Sequence, residues 1–223
     1  MFTLVPSPIG NLEDITLRGL RALREADVVA AEDTRHASIL LKHHGISRPL
    51  LSLHEHNEAQ RAEEIAQRLA AGENIAMLTD AGTPGISDPG FRVVRECIAR
   101  GLEFTVLPGA TSILPALVGS GLPLHEFYFG GFLPVKSGRR KTLLEAALAR
   151  SETSVFFESP HRIGKSLAVL AELAPDRQVC VARELSKKFE EYWRGPAAEL
   201  SARAEKQPPR GEICFLIAGR QAR

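Results

Sequence analysis

Five short segments carry the polar side chains that could do chemistry in this sequence, and each follows a predicted strand. They are PSPIGN (6–11), AEDTRH (31–36), TDAGTPGISDPG (79–90), PGATS (108–112) and FESPHR (157–162). The third is the most informative, because its glycines let a ligand reach the backbone, its prolines stiffen the turn, and its aspartates supply carboxylates. It contains neither a GxxxxGK[ST] nor a GxGxxG pattern, which argues against an NTPase or a dehydrogenase and favours another adenosine-type ligand.

The two aspartates of segment 79–90 receive different predictions. The part from Asp80 to Pro84 is predicted to be a binding loop. Asp88 stands just before an amphipathic stretch, so it is predicted to be the N-cap residue of the helix that follows.

The elements that position these segments alternate along the chain. Short apolar runs such as 2–5, 28–31 and 75–78 read as strands, and amphipathic stretches between them read as helices. This alternation predicts an α/β protein whose first half holds a mainly parallel, helix-covered sheet. A break near 113–122 suggests two α/β domains, 1–112 and 113–223, with a ligand cleft between them.

Composition limits the class of protein. The 223 residues carry a formal net charge of +1, but residues 1–112 hold 11 basic against 15 acidic residues and the remainder 17 against 12. This asymmetry would suit a second half that faces a polyanion, although ordinary surface variation explains it nearly as well. Three separated cysteines, and no signal peptide or apolar span, predict a soluble cytoplasmic protein without disulfides or a membrane segment.

Taken together, these segments resemble the tetrapyrrole-methylase superfamily of S-adenosylmethionine-dependent methyltransferases, and within it the 16S ribosomal RNA cytidine 2′-O-methyltransferase family. The resemblance rests on the five segments and on further stretches that extend it over almost the full length: LVPSPIGNLEDITLRGLRAL, FYFGGFLP, VARELSKKFEE and the terminal GEICFLIAG. It implies a class III methyltransferase fold, in which the methyl donor lies between the two domains. Members of this family usually continue further as a small helical segment, whereas this sequence stops at Arg223.

The resemblance also implies a donor site and a substrate. The family's Gly-Asp-Pro loop aligns with Gly82, Thr83 and Pro84, so that the acid here is Asp80, a departure that makes a porphyrin substrate less fitting. The residues carried over to the S-adenosyl-L-methionine site are Pro8, Asp80, Ala81, Gly82, Thr83, Thr111, Ser112, Glu158, Val181 and Ala182. The expected partners are 16S rRNA or the small ribosomal subunit, and a second copy of the chain in a homodimer.

Transfer of a methyl group to a ribose 2′-hydroxyl gains from a general base or from groups that stabilise the developing alkoxide. The candidates for catalytic roles are Glu32, Asp33, Arg35, Glu158 and Arg183. Several have ordinary alternatives: Asp33 could cap the helix that follows, Arg35 could pair with Glu32, and Arg183 could pair with the adjacent glutamate. No metal is predicted, because the HEH pair of histidines at 54–56 lacks a third ligand.

Segment 135–141 is the best candidate for RNA contact, since it holds four basic residues that could neutralise phosphates. Whether it is a loop or the solvated start of a helix is left open. The aromatic stretch 127–132 is expected to be core or dimer interface. The sequence therefore predicts a cytoplasmic rRNA 2′-O-ribose methyltransferase, with a small-molecule methylase of the tetrapyrrole type, or a non-catalytic RNA-binding module, as the alternatives.

Overall fold

The alternating strands and helices form two separate sheets in the computed structural model, which describes residues 1–220. The chain divides into two units, Met1–Thr111 and Ser112–Arg223, and each has its own sheet and its own core. None of the helices in the described residues is long and apolar enough to cross a membrane.

The first unit is a parallel sheet of five strands in the order β3-β2-β4-β1-β5. Its strands are β1 (Phe2–Leu4), β2 (Val28–Ala31), β3 (Leu50–Ser52), β4 (Ile75–Leu78) and β5 (Phe104–Val106). Its helices are α1 (Leu17–Glu25), α2 (Thr34–His43), α3 (Glu58–Ala70) and α4 (Phe91–Arg100), and a short 3-10 turn covers Leu12–Asp14.

Helices cover both faces of this sheet, as the continuous apolar strands require. Successive residues of a strand point to opposite faces, so Val29 and Ala31 pack beneath α1 and α2, whereas Val28 and Ala30 pack beneath α3 and α4. Because both faces are buried, ligands can reach the strands only at their ends. The functional groups are therefore expected at the carboxyl edge.

The second unit is a mixed sheet in the order β6-β7-β10-β8-β9. Its strands are β6 (Phe127–Phe132), β7 (Thr153–Glu158), β8 (Gln178–Arg183), β9 (Glu191–Pro196) and β10 (Ile213–Ile217). Its helices are α5 (Ile113–Ser120), α6 (Ser137–Ala149), α7 (Ile163–Leu173) and α8 (Ala197–Lys206). Only β6 and β7 are parallel, and the remaining neighbours are antiparallel.

The main core of the second unit lies between its sheet and helices α6, α7 and α8. Helix α5 packs against β8, β9 and β10 on the opposite face, where the hydroxyl of Tyr192 donates a hydrogen bond to the Pro115 carbonyl (3.1 Å). Gly119 must stay small at this contact, because a Cβ there would lie 2.4 Å from the Tyr192 ring.

The structure confirms the α/β class and most of the predicted elements. It decides the open case at 135–141 in favour of a helix, because Ser137 begins α6. The N-cap assigned to Asp88 is wrong. Helix α4 begins after Gly90, and the Glu58 carboxylate of α3 accepts hydrogen bonds from the N–H groups of Gly90 (2.8 Å) and Arg92 (3.0 Å).

Candidate active site

The loops that follow β1 and β4 are joined at the carboxyl edge of the first sheet. Ser7 and Gly82 exchange two backbone hydrogen bonds of 2.8 and 2.9 Å, and the Ser7 hydroxyl donates to the Thr79 carbonyl at 2.6 Å. Gly82 adopts φ +77°, a left-handed conformation that favours glycine. Pro8 is buried beside this junction. The predicted binding loop is therefore a fixed backbone structure.

The loop after β4 is also joined to the loop after β5, which lies beyond β1 in the sheet. The Thr83 hydroxyl donates a hydrogen bond to the Ala110 carbonyl in the loop after β5 (3.2 Å). Ala81 and Thr83 are half-buried, whereas the Asp80 side chain is 42% exposed. The aspartate thus reaches solvent from a rigid loop.

Asp80 brings the loop after β2 into the same cluster. Its carboxylate accepts a hydrogen bond from the Asp33 N–H (3.2 Å) and lies 3.5 Å from Nδ1 of His36. Its own N–H donates to Oε2 of Glu32 (3.4 Å). We call Glu32, Asp80 and Asp88 the acidic cluster.

Two carboxyl groups of the acidic cluster, those of Glu32 and Asp88, have a raised pKa. Burial raises the pKa of Glu32; the N–H of Asp80 partly offsets this effect, and the charges of Asp80 and Asp33 add to the rise. Burial, followed by the charges of Glu32 and Asp80, raises the pKa of Asp88 to about 7. Carboxyl groups with a raised pKa can accept a proton at neutral pH, and perturbed groups of this kind concentrate at functional sites.

We expect Asp88→Asn to stabilise the protein at pH 8 and to have little effect near pH 4. The pKa of Asp88 rises from 3.8 to about 7 on folding, so the wild-type protein loses stability as the pH rises through that interval and the buried group becomes charged. The gain should approach ~2 kcal/mol, about half the full value of the shift, because the loop can relax. Urea unfolding of both proteins at the two pH values measures it.

The matched control for this measurement is Asp14→Asn, which removes an exposed carboxylate outside the acidic cluster. Equal pH dependence of wild type and Asp88→Asn would show that Asp88 does not carry the predicted shift.

Asp33 and Arg35 have structural contacts that account for both side chains. Asp33 is the N-cap of α2 and accepts the Arg35 N–H at 2.8 Å. Hydrogen bonds from the Arg35 side chain hold the pKa of Asp33 well below its usual range. The suggested ion pair of Arg35 with Glu32 is wrong, since Asp33 is the partner. Their catalytic roles stay predictions, and the capping alternative for Asp33 is confirmed.

In the second unit, Glu158 ends β7 with its side chain fully buried. Its Oε1 accepts a hydrogen bond from the Ser159 N–H (2.8 Å) and lies 2.8 Å from Nη2 of Arg162, while its Oε2 accepts the Ser166 hydroxyl (2.8 Å). Both oxygens are thus engaged within the unit. The assignment of Glu158 to catalysis or to donor contact stays a prediction. The alternative is that Glu158 has only a structural role.

Arg183 ends β8 and connects two loops of the second unit. It donates hydrogen bonds to the carbonyls of Arg210 (2.8 Å) and Phe189 (3.2 Å), and it pairs with Glu191 at 3.1 Å. Pairing with the adjacent Glu184 is therefore wrong. The Glu184 carboxylate instead lies 3.0 Å from the Lys187 ammonium.

The remaining predicted donor residues lie in two places. Val181 and Ala182 are fully buried in β8, which has paired strands on both sides, so the sheet engages their backbone groups. Thr111 and Ser112 are half-buried, and Ser112 is the N-cap of α5. The contacts of all four with a donor stay predictions.

No cluster of three or more possible metal ligands occurs within residues 1–220. His54 and His56 contact each other edge to face, with ring centroids 6.0 Å apart. Sequence reasoning gave no role to His36, although this residue ends the AEDTRH segment, and it assigned Asp88 to a helix cap. The signal for Asp88 was the density of acidic residues at the ends of β2 and β4.

Similarity to known proteins identifies the family of this chain. Residues 1–201 match the family model described as Tetrapyrrole (Corrin/Porphyrin) Methylases. Two proteins named Ribosomal RNA small subunit methyltransferase I are similar along nearly the whole chain. The one from Pseudomonas aeruginosa is 45% identical over 222 residues, which is 98% of this chain and 79% of that protein. The one from Thermotoga maritima is 43% identical over 218 residues, or 98% of both.

Among solved structures, a uroporphyrin-III-C-methyltransferase from Thermus thermophilus aligns with a TM-score of 0.69 over 97% of this chain and 93% of that chain. At 23% identity this similarity shows the fold alone. The family model and the two relatives go further, and by them the chain belongs to the tetrapyrrole methylase family.

Proposed function

We propose that this protein transfers the methyl group of S-adenosyl-L-methionine to the ribose 2′-hydroxyl of a cytidine in 16S rRNA. The substrate class is supported by relatives at 43–45% identity whose name is Ribosomal RNA small subunit methyltransferase I. The observation that carries the chemistry is the acidic cluster, which sets proton acceptors on rigid loops at the carboxyl edge of a sheet. We assign donor-binding loops to residues 1–112, and completion of the donor site together with substrate contact to residues 113–223.

The residues of the first unit fit a cationic donor. Three carboxyl groups at one sheet edge repel each other when charged, and this repulsion contributes to the raised pKa values of Glu32 and Asp88. A positive ligand beside them would relieve the repulsion. When bound, S-adenosyl-L-methionine supplies an electrophilic methyl group and leaves as a neutral thioether. The donor should therefore be favoured over its product.

Glu32 is the residue best placed to accept the proton of the 2′-hydroxyl. It is half-buried, its pKa is raised, and among the described residues only the Asp80 N–H donates a hydrogen bond to its carboxylate, at Oε2. Oε1 is left to receive a proton as the hydroxyl oxygen bonds to the methyl carbon. Positioning of the two reactants supplies most of the remaining rate, because the displacement must be in line.

The test combines calorimetry with methyl transfer. Titration of the full chain with S-adenosyl-L-methionine should show binding, and a labelled donor should place label on one ribose of undermethylated small subunits. Label on a tetrapyrrole acceptor and none on RNA would favour the small-molecule alternative. RNA binding with no donor binding would favour the non-catalytic module.

A cytoplasmic location follows from the proposed substrate, since small subunits are found there. The homodimer stays a prediction, which light scattering of the purified chain can check.

A further inference from the structure

Helix α6 begins with an unusual concentration of positive charge. Lys136 is its N-cap residue and makes no side-chain capping bond, and no acidic residue occupies the first turn. Arg139 and Arg140 lie within that turn, and Lys141 follows directly after it. Cations at a helix N-terminus oppose the helix dipole, which favours anions at this end. These positive charges therefore lower the stability of the helix, but they suit the binding of a negative ligand.

Arg140 supplies an independent sign of a missing anion. Only 5% of this residue is exposed, and it forms no ion pair with a described carboxylate. Among the described residues its side chain makes a single, long hydrogen bond, from Nη1 to the Val135 carbonyl (3.4 Å), and its buried Nε has no partner. Since Val135 directly precedes the N-cap, the guanidinium lies at the start of the helix. A buried charge without a partner is costly, so a partner is expected.

Other arginines in this unit form ion pairs with carboxylates. Arg162 lies 2.8 Å from the Glu158 carboxylate, and Arg183 lies 3.1 Å from the Glu191 carboxylate. Neither is as buried as Arg140. The contrast sets Arg140 apart from the structural arginines of this sheet.

An exposed aromatic ring, that of Phe132, comes shortly before this helix start in the chain. Phe132 ends β6 shortly before α6 begins, and its ring packs on Phe157 at a centroid distance of 5.2 Å. Phe129 packs on the same ring at 5.0 Å. Phe132 nevertheless remains 60% exposed. An aromatic face beside a phosphate-binding helix end matches one nucleotide of single-stranded RNA, since bases stack on such faces.

We propose that the start of α6 binds a phosphodiester of the RNA substrate, with Arg140 as its buried ligand and Phe132 stacking on an adjacent base. The inference rests on the proposed function, because that function makes RNA the substrate. The occupant is a single-stranded RNA segment, since a free anion would use the cations but not the exposed ring. This site binds and orients the substrate and takes no part in the proton transfer.

The test uses Arg140→Met, which keeps an unbranched side chain about as long as the arginine stem up to Nε and removes the charged guanidinium. We expect the variant to unfold at a temperature equal to or higher than wild type, because apolar replacement of a buried unpaired charge relieves its desolvation. Its KM for undermethylated small subunits should rise roughly tenfold while kcat and donor affinity stay unchanged. The salt slope for binding of 16S rRNA should fall by about 0.7, the value for one phosphate contact on a single strand.

Two further variants separate the components of the site. Phe132→Leu should weaken RNA binding about fivefold without changing the salt slope, because it removes stacking but no charge. Lys206→Met removes an exposed charge at the far end of α8 and should leave the KM unchanged. A variant with lower thermal stability and an unchanged KM would overturn the proposal and make Arg140 a structural residue.

Failure of this inference is distinguishable from failure of the proposed function. If wild type methylates small subunits and Arg140→Met and Phe132→Leu do so with the same KM, only the site at α6 is refuted. If wild type neither binds nor methylates RNA, the proposed function is refuted, and the site at α6 is refuted with it. Dissociation of a dimer by Phe132→Leu, with unchanged RNA affinity, would assign the aromatic face to a second copy of the chain.

Discussion

Glu32→Gln is expected to lower the rate of methyl transfer by about 10²–10⁴-fold, the usual contribution of a general base. Glutamine keeps the size of the side chain and can still accept the Asp80 N–H, so the loops after β2 and β4 should stay in place. What it loses is the ability to take up a proton. Single-turnover rates with labelled donor and undermethylated small subunits measure the effect.

The neighbouring variant Asp33→Asn is the comparison, and it tests whether the cap of α2 accounts for Asp33 without a catalytic role. Asparagine is as good an N-cap as aspartate, so α2 should keep its capping bond from the Arg35 N–H. We expect its rate to stay within about threefold of wild type, a change of under 1 kcal/mol in the barrier. Equal losses in both variants would mean that local charge, and not proton transfer, is what the reaction needs.

The pH profile of the wild-type enzyme adds a second readout. The rate should rise with pH as Glu32 and Asp88 lose their protons, and the pKa of about 7 at Asp88 places part of that rise near neutrality. Glu32→Gln should abolish or displace the rise. A profile that is flat between pH 6 and 8 in wild type would contradict the role of a carboxyl base.

The first unit could be predicted closely because its signals are local. Val28–Ala31 and Ile75–Leu78 are continuous apolar runs bounded by polar loops, and both form strands with the predicted limits. Their parallel arrangement then brings the loops that follow them to one edge. Thus the apolar pattern predicts that the loops holding Glu32 and Asp80 lie at the same edge of the sheet. It does not predict the distances between the two residues.

The N-cap of α4 could not be predicted because its partner is distant in sequence. Asp88 has the right residue type and position, and local rules favour it. The cap is instead the carboxylate of Glu58, which lies more than thirty residues earlier on α3. Only the packing of α3 against α4 brings that group within reach, and it leaves Asp88 to the acidic cluster.

The hairpin of β8 and β9 was missed for a different reason. Its connection contains no glycine or asparagine, the usual marks of a turn with positive φ. Glu184 and Ser186 take this conformation instead, at φ 51° and 63°. Side chains hold the turn, since Glu190 accepts the Ser186 N–H at 2.7 Å and Lys187 pairs with Glu184. Side-chain contacts of this kind cannot be recognised from the residue types of the turn alone.

Glu158→Gln is expected to lower the free energy of unfolding by about 3 kcal/mol, because it breaks a buried pair and leaves Arg162 without its charge partner. The Glu158 side chain is fully buried, and its contacts with Arg162, Ser166 and the Ser159 N–H use both oxygens. Urea unfolding at pH 7 measures the loss. At low temperature, where the variant stays folded, its affinity for S-adenosyl-L-methionine should remain within about threefold of wild type, which is less than 1 kcal/mol.

A double-mutant cycle with Arg162→Met tests the cause of this loss. If the pair is structural, the double variant should be more stable than the sum of the single effects predicts, with a coupling of roughly 1–3 kcal/mol. Glu63→Gln, at an exposed pair with Arg100, should cost less than about 1 kcal/mol and shows the value of a solvated pair. Unchanged stability of Glu158→Gln together with lost donor affinity would instead make Glu158 a donor contact. The Glu158 carboxylate would then have to leave its buried contacts and become accessible when the donor binds.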